Sequence, residues 1–382
     1  MIYFDNSATT RMNPQVLETY ETVCGKVWGN PSSLHNLGEH AFNLLEQARR
    51  QVAGLIGRKP GEIFFTSGGT EGDNWAIKGT AIEKHIYGRH LITSSVEHPA
   101  VINTMRQLEK LGFEVTYLPV DEKGRVSPDD LRKAVRKDTI LVSIMAVNNE
   151  VGTVQPIDAI AEVLKDYPKI HFHVDAVQAV GKGVGKMLGN DRIDLMSFSG
   201  HKFHAPRGIG FMYRKEGRKI APLMTGGGQE GNMRSGTENL PAIAAMAKAL
   251  RLVVEDEDEH ARHQQMIKER IYDHIAGFDK TVVFSGRDEG FAPHILCFAI
   301  KGVRGETVVH AFEDKGIYIS TTSACSSKKH TVSSTLQSMA VDDAIATSAV
   351  RVSLDENNTL EEADEFNRVF DELYEKFQMI NS

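Results

Sequence analysis

Four short stretches of this chain hold residue types that could do chemistry together. In Ser67-Gly68-Gly69-Thr70 the glycines let the backbone approach an anion, a following helix would aim its unpaired N–H groups at it, and Thr70 adds a hydroxyl. That makes a phosphate cup, although the spacing matches neither Walker A nor the Rossmann glycine pattern and an ordinary strand-to-helix turn has the same composition. Asp175 closes the alternating run His171-Phe-His-Val-Asp175, with Gln178 just beyond it. It could cap a turn, or it could hold a protonated ring nitrogen. Lys202 ends Ser199-Gly-His-Lys202, where an apolar run stops among small and polar residues. A lysine is ordinarily a surface charge, but one with a lowered pKa beside a carbonyl forms a Schiff base. Cys325 lies in Thr321-Thr-Ser-Ala-Cys325-Ser-Ser-Lys-Lys329, a polar setting whose two lysines favour an exposed thiolate, or simply a loop cysteine.

A phosphate cup, a carboxylate for a pyridinium nitrogen and a lysine, all at strand ends of one sheet, are the attachments that pyridoxal 5'-phosphate requires. The elements that must position them are legible. Apolar residues at helical spacing predict a helix from about Gly38 to Gly57, and strands are expected at Glu62–Thr66, His90–Ser94, Phe113–Val120, Thr139–Val147, Ile170–Ala176, Leu195–Ser199 and Gly208–Tyr213. Helical segments such as Ala100–Leu111, Ser127–Arg136 and Pro156–Leu164 separate them. This alternation predicts an α/β fold with a mostly parallel, doubly wound sheet whose ligands bind beyond the carboxyl ends of the strands. The charge run Glu255-Asp-Glu-Asp-Glu259, a solvated helix start or linker, marks a change of pattern. Residues 15–255 are expected to form a large cofactor domain, and 1–14 with 256–382 a smaller α+β domain carrying the cysteine loop.

With 382 residues, 41% hydrophobic and 25% charged, the chain reads as a globular protein of two packed units. The net charge of -7 argues against a broad basic face for nucleic acid, and no apolar run is long enough to span a bilayer. Three cysteines, Cys24, Cys297 and Cys325, lack Cys-x-x-Cys spacing, so neither a disulfide framework nor a thiolate zinc site is expected. Cys24 and Cys297, in apolar contexts, read as buried packing thiols. His171 with His173, and His201 with His204, fall short of a metal motif, and no metal is expected. The N-terminus shows no secretory or transit pattern, which suggests the cytoplasm.

Ten ordered motifs carry a family resemblance: Asp5-Asn-Ser-Ala-Thr-Thr10, Gly29-Asn-Pro-Ser-Ser33 with His35, Phe65-Thr-Ser-Gly-Gly-Thr-Glu71, Glu97-His98, Asn148-Asn-Glu150 with Gly152, His173-Val-Asp-Ala-Val-Gln178, Ser199-Gly-His-Lys202, Gly226-Gly-Gly-Gln-Glu230, Arg234-Ser-Gly-Thr237 and Ser323-Ala-Cys325. From Tyr3 to about Leu354 the chain resembles the class I cysteine desulfurases, pyridoxal-phosphate enzymes of fold type I. The resemblance implies that Lys202 binds the cofactor and moves the substrate α-proton, Asp175 keeps the ring nitrogen protonated, Gln178 contacts the ring hydroxyl, and His98 stacks on the ring and assists proton transfer. It places Gly69, Thr70, Ser199 and His201 at the phosphate, with Thr237 reaching over from the second subunit of a homodimer. Asn149 and Arg351 would hold the carboxylate of L-cysteine, and Cys325 would take its sulfur as a persulfide for an acceptor protein, an iron–sulfur scaffold or a tRNA thiolase. Neither direct nucleic-acid binding nor a membrane is implied. Two other readings share the motifs: a selenocysteine lyase or other β-eliminating enzyme, and a non-catalytic partner-binding protein. The chain departs from the family in lacking a proline near Val332-Ser333, in Ala340 where glycine is common, and in Ala205-Pro-Arg207 for Gly-Pro-Lys.

Overall fold

The computed structural model describes residues 1–322 and 332–380. Cys325 and its motif Ser323-Ala-Cys325 lie outside the described residues. After the short strand β1 (Ile2–Tyr3), strands β2 (Ile63–Thr66), β3 (His90–Ser94), β4 (Glu114–Leu118), β5 (Thr139–Met145), β6 (His171–Asp175), β7 (Leu195–Ser199) and β8 (Gly210–Arg214) build a seven-stranded sheet in the order β2-β8-β7-β6-β5-β3-β4. The neighbours from β7 to β4 run parallel, while β8 is antiparallel to both β2 and β7. The sheet is therefore mostly parallel.

Helices cover both faces. They are α1 (Pro14–Lys26), α2 (Asn36–Leu55), α3 (Gly69–Lys84), α4 (Pro99–Glu109), α5 (Pro128–Ala134), α6 (Ile157–Lys165) and α7 (Leu240–Glu255). Successive strand residues serve opposite faces: Ile92 and Val142 join a core with Val16, Leu45, Ile160 and Ile243 of the helices, whereas Leu91 and Leu141 pack with Ile77, Val101 and Met105 from α3 and α4. His171–Asp175 is consequently buried at all five positions rather than alternating with solvent.

A second, antiparallel sheet has the order β12-β13-β10-β9, from β9 (Thr281–Val283), β10 (Ile295–Ile300), β12 (Ser320–Thr321) and β13 (Ala349–Ser353), while β11 (Ile317–Tyr318) pairs in parallel with β1. The helices α8 (Glu257–Ile275), α9 (Gly305–Glu313), α10 (Ser334–Ser338), α11 (Asp343–Ala346) and α12 (Leu360–Ile380) accompany it. Ile267, Ile271 and Ile275 of α8 meet Phe366, Phe370 and Leu373 of α12 at the spacing that makes an apolar stripe, and Phe4 from the N-terminal arm joins this core. The charge run at 255–259 is the break at Asp256 between α7 and α8.

Two local expectations change. Cys24 is exposed, not packed: α1 buries Val16 and Val23, and the next residue is rotated about a quarter turn away. The polar stretch before β13 holds two short helices, α10 and α11. Between them Ala340 has φ 59°, the left-handed region in which a Cβ is strained, and that is the physical reason a glycine suits this position. Cys297 is fully buried, as expected. Among the described residues no helix is long and apolar enough to cross a membrane.

Candidate active site

The strand ends bring the chemical residues to one side of the large sheet. β2 turns through Ser67 and Gly68 into α3. Gly68 has φ 154°, and a Cβ on Gly69 would stand 2.6 Å from Val177 Cγ2 and 3.5 Å from Ser199 Cβ. Only glycine lets these three segments approach so closely. Thr70 is exposed in the first turn of α3. Ser67 donates its N–H to Glu71 at 3.1 Å, and Glu71 is ion-paired with Arg234 at 2.9 Å, tying the turn to the glycine-rich loop that carries Thr237. Thr237 is exposed.

Asp175 ends β6 with one carboxylate oxygen accepting the Val177 N–H at 3.0 Å. Burial raises its pKa, opposed by the positive charge of His98 and Lys202. His98 caps α4: its Nδ1 accepts the Ala100 N–H at 3.1 Å. The ring proton of the neutral form is thereby placed on Nε2, and burial lowers the histidine's pKa. Helix-capping and a role at the reacting centre are thus compatible for this residue. Lys202, in the short turn after β7, donates from Nζ to the carbonyls of Ser7 at 2.5 Å and Ala8 at 2.9 Å. Gln178 Nε2 donates to the same Ser7 carbonyl at 3.1 Å. His201 shares a hydrogen bond of 3.1 Å with Thr9 Oγ1, and burial beside Lys202 pushes its pKa down to about 4, leaving a neutral ring.

Behind Asp175 lie acids that the sequence reading passed over. Burial pushes Glu97 up to about 8, while its Oε1 accepts bonds from Ser94 Oγ and Met145 N. Asp73 of α3 is buried beside Ser197 and 3.5 Å from His173 Nε2, and burial together with the charge of Asp175 raises its pKa strongly. Burial raises all three carboxyls, and of the three Asp175 is the one drawn back by the nearby His98 and Lys202. The third residue of an EGD triplet on a helix looks like a surface acid; only burial distinguishes Asp73.

Arg351 comes from β13 in the second sheet. It donates from Nη1 to the Asn149 carbonyl at 2.6 Å and from Nη2 to Asp5 Oδ1 at 3.0 Å. Asn149 therefore meets Arg351 through its backbone. Ser320, just before the stretch that holds Cys325, is paired with Arg351, and Ser333, just after it, donates its hydroxyl to Glu150.

A profile of the aminotransferase class-V family matches residues 2–366. The chain belongs to that family. It is 62% identical over 381 residues to a NifS/IcsS protein homolog of Lactobacillus delbrueckii subsp. bulgaricus, covering 100% of this chain and 99% of the relative. It is 42% identical over 377 residues to the cysteine desulfurase IscS of Methanosarcina thermophila, covering 99% and 93%. Among solved structures, a NifS-like protein superposes with a TM-score of 0.92 at 39% identity over 98% of this chain and 99% of that one. Another, SspA in complex with cysteine, gives 0.80 at 34% identity over 93% and 99%. The fold is type I of the pyridoxal-phosphate-dependent transferases.

Among the described residues, His204, Asp355 and Glu356 are the group with metal-ligand atoms close together. The Nε2 of His204 already contacts Glu356 at 3.1 Å, its Nδ1 the Arg11 carbonyl, and the pairing raises the histidine's pKa and lowers that of Glu356 to about 2. It is an ion pair joining the turn after Lys202 to the start of the C-terminal segment.

Proposed function

We propose that this chain is a class I cysteine desulfurase that converts L-cysteine to L-alanine, leaving the sulfur as a persulfide on Cys325. The observation that carries the reading is the meeting of Asp175, His98 and Lys202 at the carboxyl ends of parallel strands, with Arg351 arriving from the second sheet.

The residues fit pyridoxal 5'-phosphate. A buried carboxylate at Asp175 suits a cationic ring N–H, and the tight turn Gly68–Gly69 packed on Ser199 puts the N-terminus of the sixteen-residue α3 beside a hydroxyl. Lys202 would attach the cofactor, Asp175 and Gln178 would hold its ring, and Gly69, Thr70, Ser199 and His201 its phosphate. The exposed Thr237 would complete the phosphate site of a second copy in a homodimer. When bound, the cofactor supplies an electron sink for charge developing at the substrate Cα.

The remaining work falls to the chain. Arg351 holds the substrate carboxylate with paired donors, and Asn149 flanks it. The neutral Nζ of Lys202 takes the proton from Cα. His98 Nε2 moves the proton of the substrate thiol. The Cys325 thiolate attacks the substrate Sγ: an S–S bond forms, the Cβ–Sγ bond breaks with its electron pair going to Cβ, the thiol proton carried by His98 goes to Cβ, and Lys202 Nζ returns its proton to Cα to complete alanine. The persulfide then passes to an acceptor protein, a scaffold for iron–sulfur clusters or a tRNA thiolase.

The two sheets and their separate cores support a division into a large unit, 15–255, and a small one, 1–14 with 256–382. Replacing Cys325 by Ala tests the central assignment: cofactor and cysteine binding should persist while sulfide release in the presence of a reductant disappears. Release at the full rate would overturn it.

A further inference from the structure

The guanidinium that the proposed function assigns to the substrate carboxylate already holds a carboxylate of its own. Arg351 is 2% exposed, its Nη2 donates to Asp5 Oδ1 at 3.0 Å, and its Nε is buried with no hydrogen-bond partner among the described residues. An arginine built to stay paired would close its fork on two oxygens. Here one donor is held in reserve. Asp5 is itself pushed above its usual pKa by burial, with Arg351 and then Lys202 drawing it back. It is therefore an imperfectly satisfied partner, not a deep well.

The segment bearing Asp5 is bound on both sides of the site. Asn6 N donates to the Ser353 carbonyl at 3.2 Å, Ser353 N to the Phe4 carbonyl at 2.7 Å, and Ser7 N to Ser353 Oγ at 2.8 Å, fixing it to the end of β13. Its Ser7 and Ala8 carbonyls take the Lys202 ammonium. One strap thus offers an anion to the substrate-binding arginine and oxygens to the lysine.

We propose that Asp5 is a specificity-determining placeholder: an internal carboxylate that neutralises Arg351 and that the carboxylate of the substrate must displace from Nη2 while engaging the reserved Nε. Asp5 thereby weakens carboxylate binding and keeps the site from retaining its own amino-acid product. This inference rests on the reading of Arg351 given above.

The test is equilibrium binding of L-alanine, which has the carboxylate and no sulfur, to the holoenzyme by calorimetry, with ethylamine, the same molecule without the carboxylate, as the control ligand. Asp5→Asn keeps the size and a hydrogen-bond acceptor and removes the charge. L-alanine should bind about tenfold more tightly, equivalent to ~1.4 kcal/mol, while ethylamine binding stays unchanged. Unchanged or weaker alanine binding overturns the inference, as does an equal shift for both ligands, which would mark Asp5 as a structural anchor. Arg351→Lys separates the two levels: if it leaves alanine binding unaltered, the assignment of Arg351 itself fails, and if it weakens alanine binding while Asp5→Asn does not strengthen it, the placeholder alone fails. Should Asp5→Asn fold poorly, Asp5→Ser, which also removes the charge, is held to the same outcomes.

Discussion

Replacing Arg49 by Met should cost about 3–5 kcal/mol of stability, the penalty for removing one partner of a buried ion pair. Arg49 on α2 and Glu230 in the glycine-rich loop are 9% and 7% exposed and are joined by parallel bonds of 2.8 and 2.7 Å. The guanidinium also donates to the Ile63 carbonyl at 2.7 Å and to Glu46 at 2.9 Å, and it lies 4.8 Å from the centre of the Phe65 ring. Methionine keeps much of the volume but leaves the Glu230 carboxylate buried with the Phe65 N–H, at 2.9 Å, in place of a cation. The converse change, Glu230→Met, should be milder, about 1–3 kcal/mol, because Glu46 still accepts from Arg49 Nε. In the double variant two apolar side chains face each other, so the combined loss should fall short of the sum by about 2 kcal/mol or more, toward the upper end of coupling between touching residues. Urea unfolding of the four proteins, followed by circular dichroism at fixed cofactor concentration, measures the cycle. Losses that add to within ~0.5 kcal/mol would refute the reasoning, since independent sites add that closely. Function should follow stability here. Glu230, Gly231 and Asn232 all have positive φ, and Glu230, Arg234 and Thr237 line a cavity of about 170 Å³ with Thr66 and Ser67. A loop freed from Arg49 has less reason to hold that strained path, so the single variants should also bind pyridoxal phosphate more weakly.

Gly69→Ala should destabilise by about 1–3 kcal/mol and weaken cofactor binding, read by fluorescence titration, because its methyl would meet Val177 at 2.6 Å in the turn that hydrogen-bonds Asp175. Ala340→Gly should instead raise the melting temperature, since relief of the left-handed strain, about 1–2 kcal/mol, exceeds glycine's extra unfolded-state entropy, about 0.4–1 kcal/mol. A maleimide should label Cys24 in the native protein and reach Cys297 only after unfolding, a contrast that peptide mass analysis resolves, because Cys297 is fully buried and its thiol is pushed well up by that burial. The buried rings of His171 and His173, held down to about 3, must charge when the chain unfolds in acid. Their folded pKa lies below the unfolded value near 6.5, so stability is intact above that value and falls as pH drops beneath it. At pH 5 each should cost about 2 kcal/mol, and His171→Asn should flatten the acid limb of a denaturation-against-pH profile.

The contrast between what was and was not readable in advance follows from range. Lys202, Asp175 and the Ser67–Thr70 turn were legible because each ends an apolar strand, and strand ends are where an α/β sheet places ligands. A sheet covered on both faces was legible too, but not that the polar positions His171 and His173 of β6 are themselves buried, as an alternating pattern and a buried run differ only in what lies above and below. Cys24 read as a packing thiol because its neighbours are apolar, yet exposure on a helix is set by angle around the axis, and the buried Val23 takes the inward position. Asp73 was given no role and Glu97 appeared only within a motif, because composition carries no sign of burial.

By itself the sequence determined the order of elements, the α/β class and the kinds of groups gathered at the strand ends, since these depend on side-chain period and on residues a few positions apart. Tertiary structure alone decided how those groups are charged and whom they meet. The Lys202 ammonium on the carbonyls of Ser7 and Ala8, the Arg49–Glu230 pair and the Asp5–Arg351 contact join residues distant along the chain, the last of them 346 positions apart. Desolvation, which sets the proton affinity of Asp175, Asp73, Glu97 and His173, exists only once the sheet is covered.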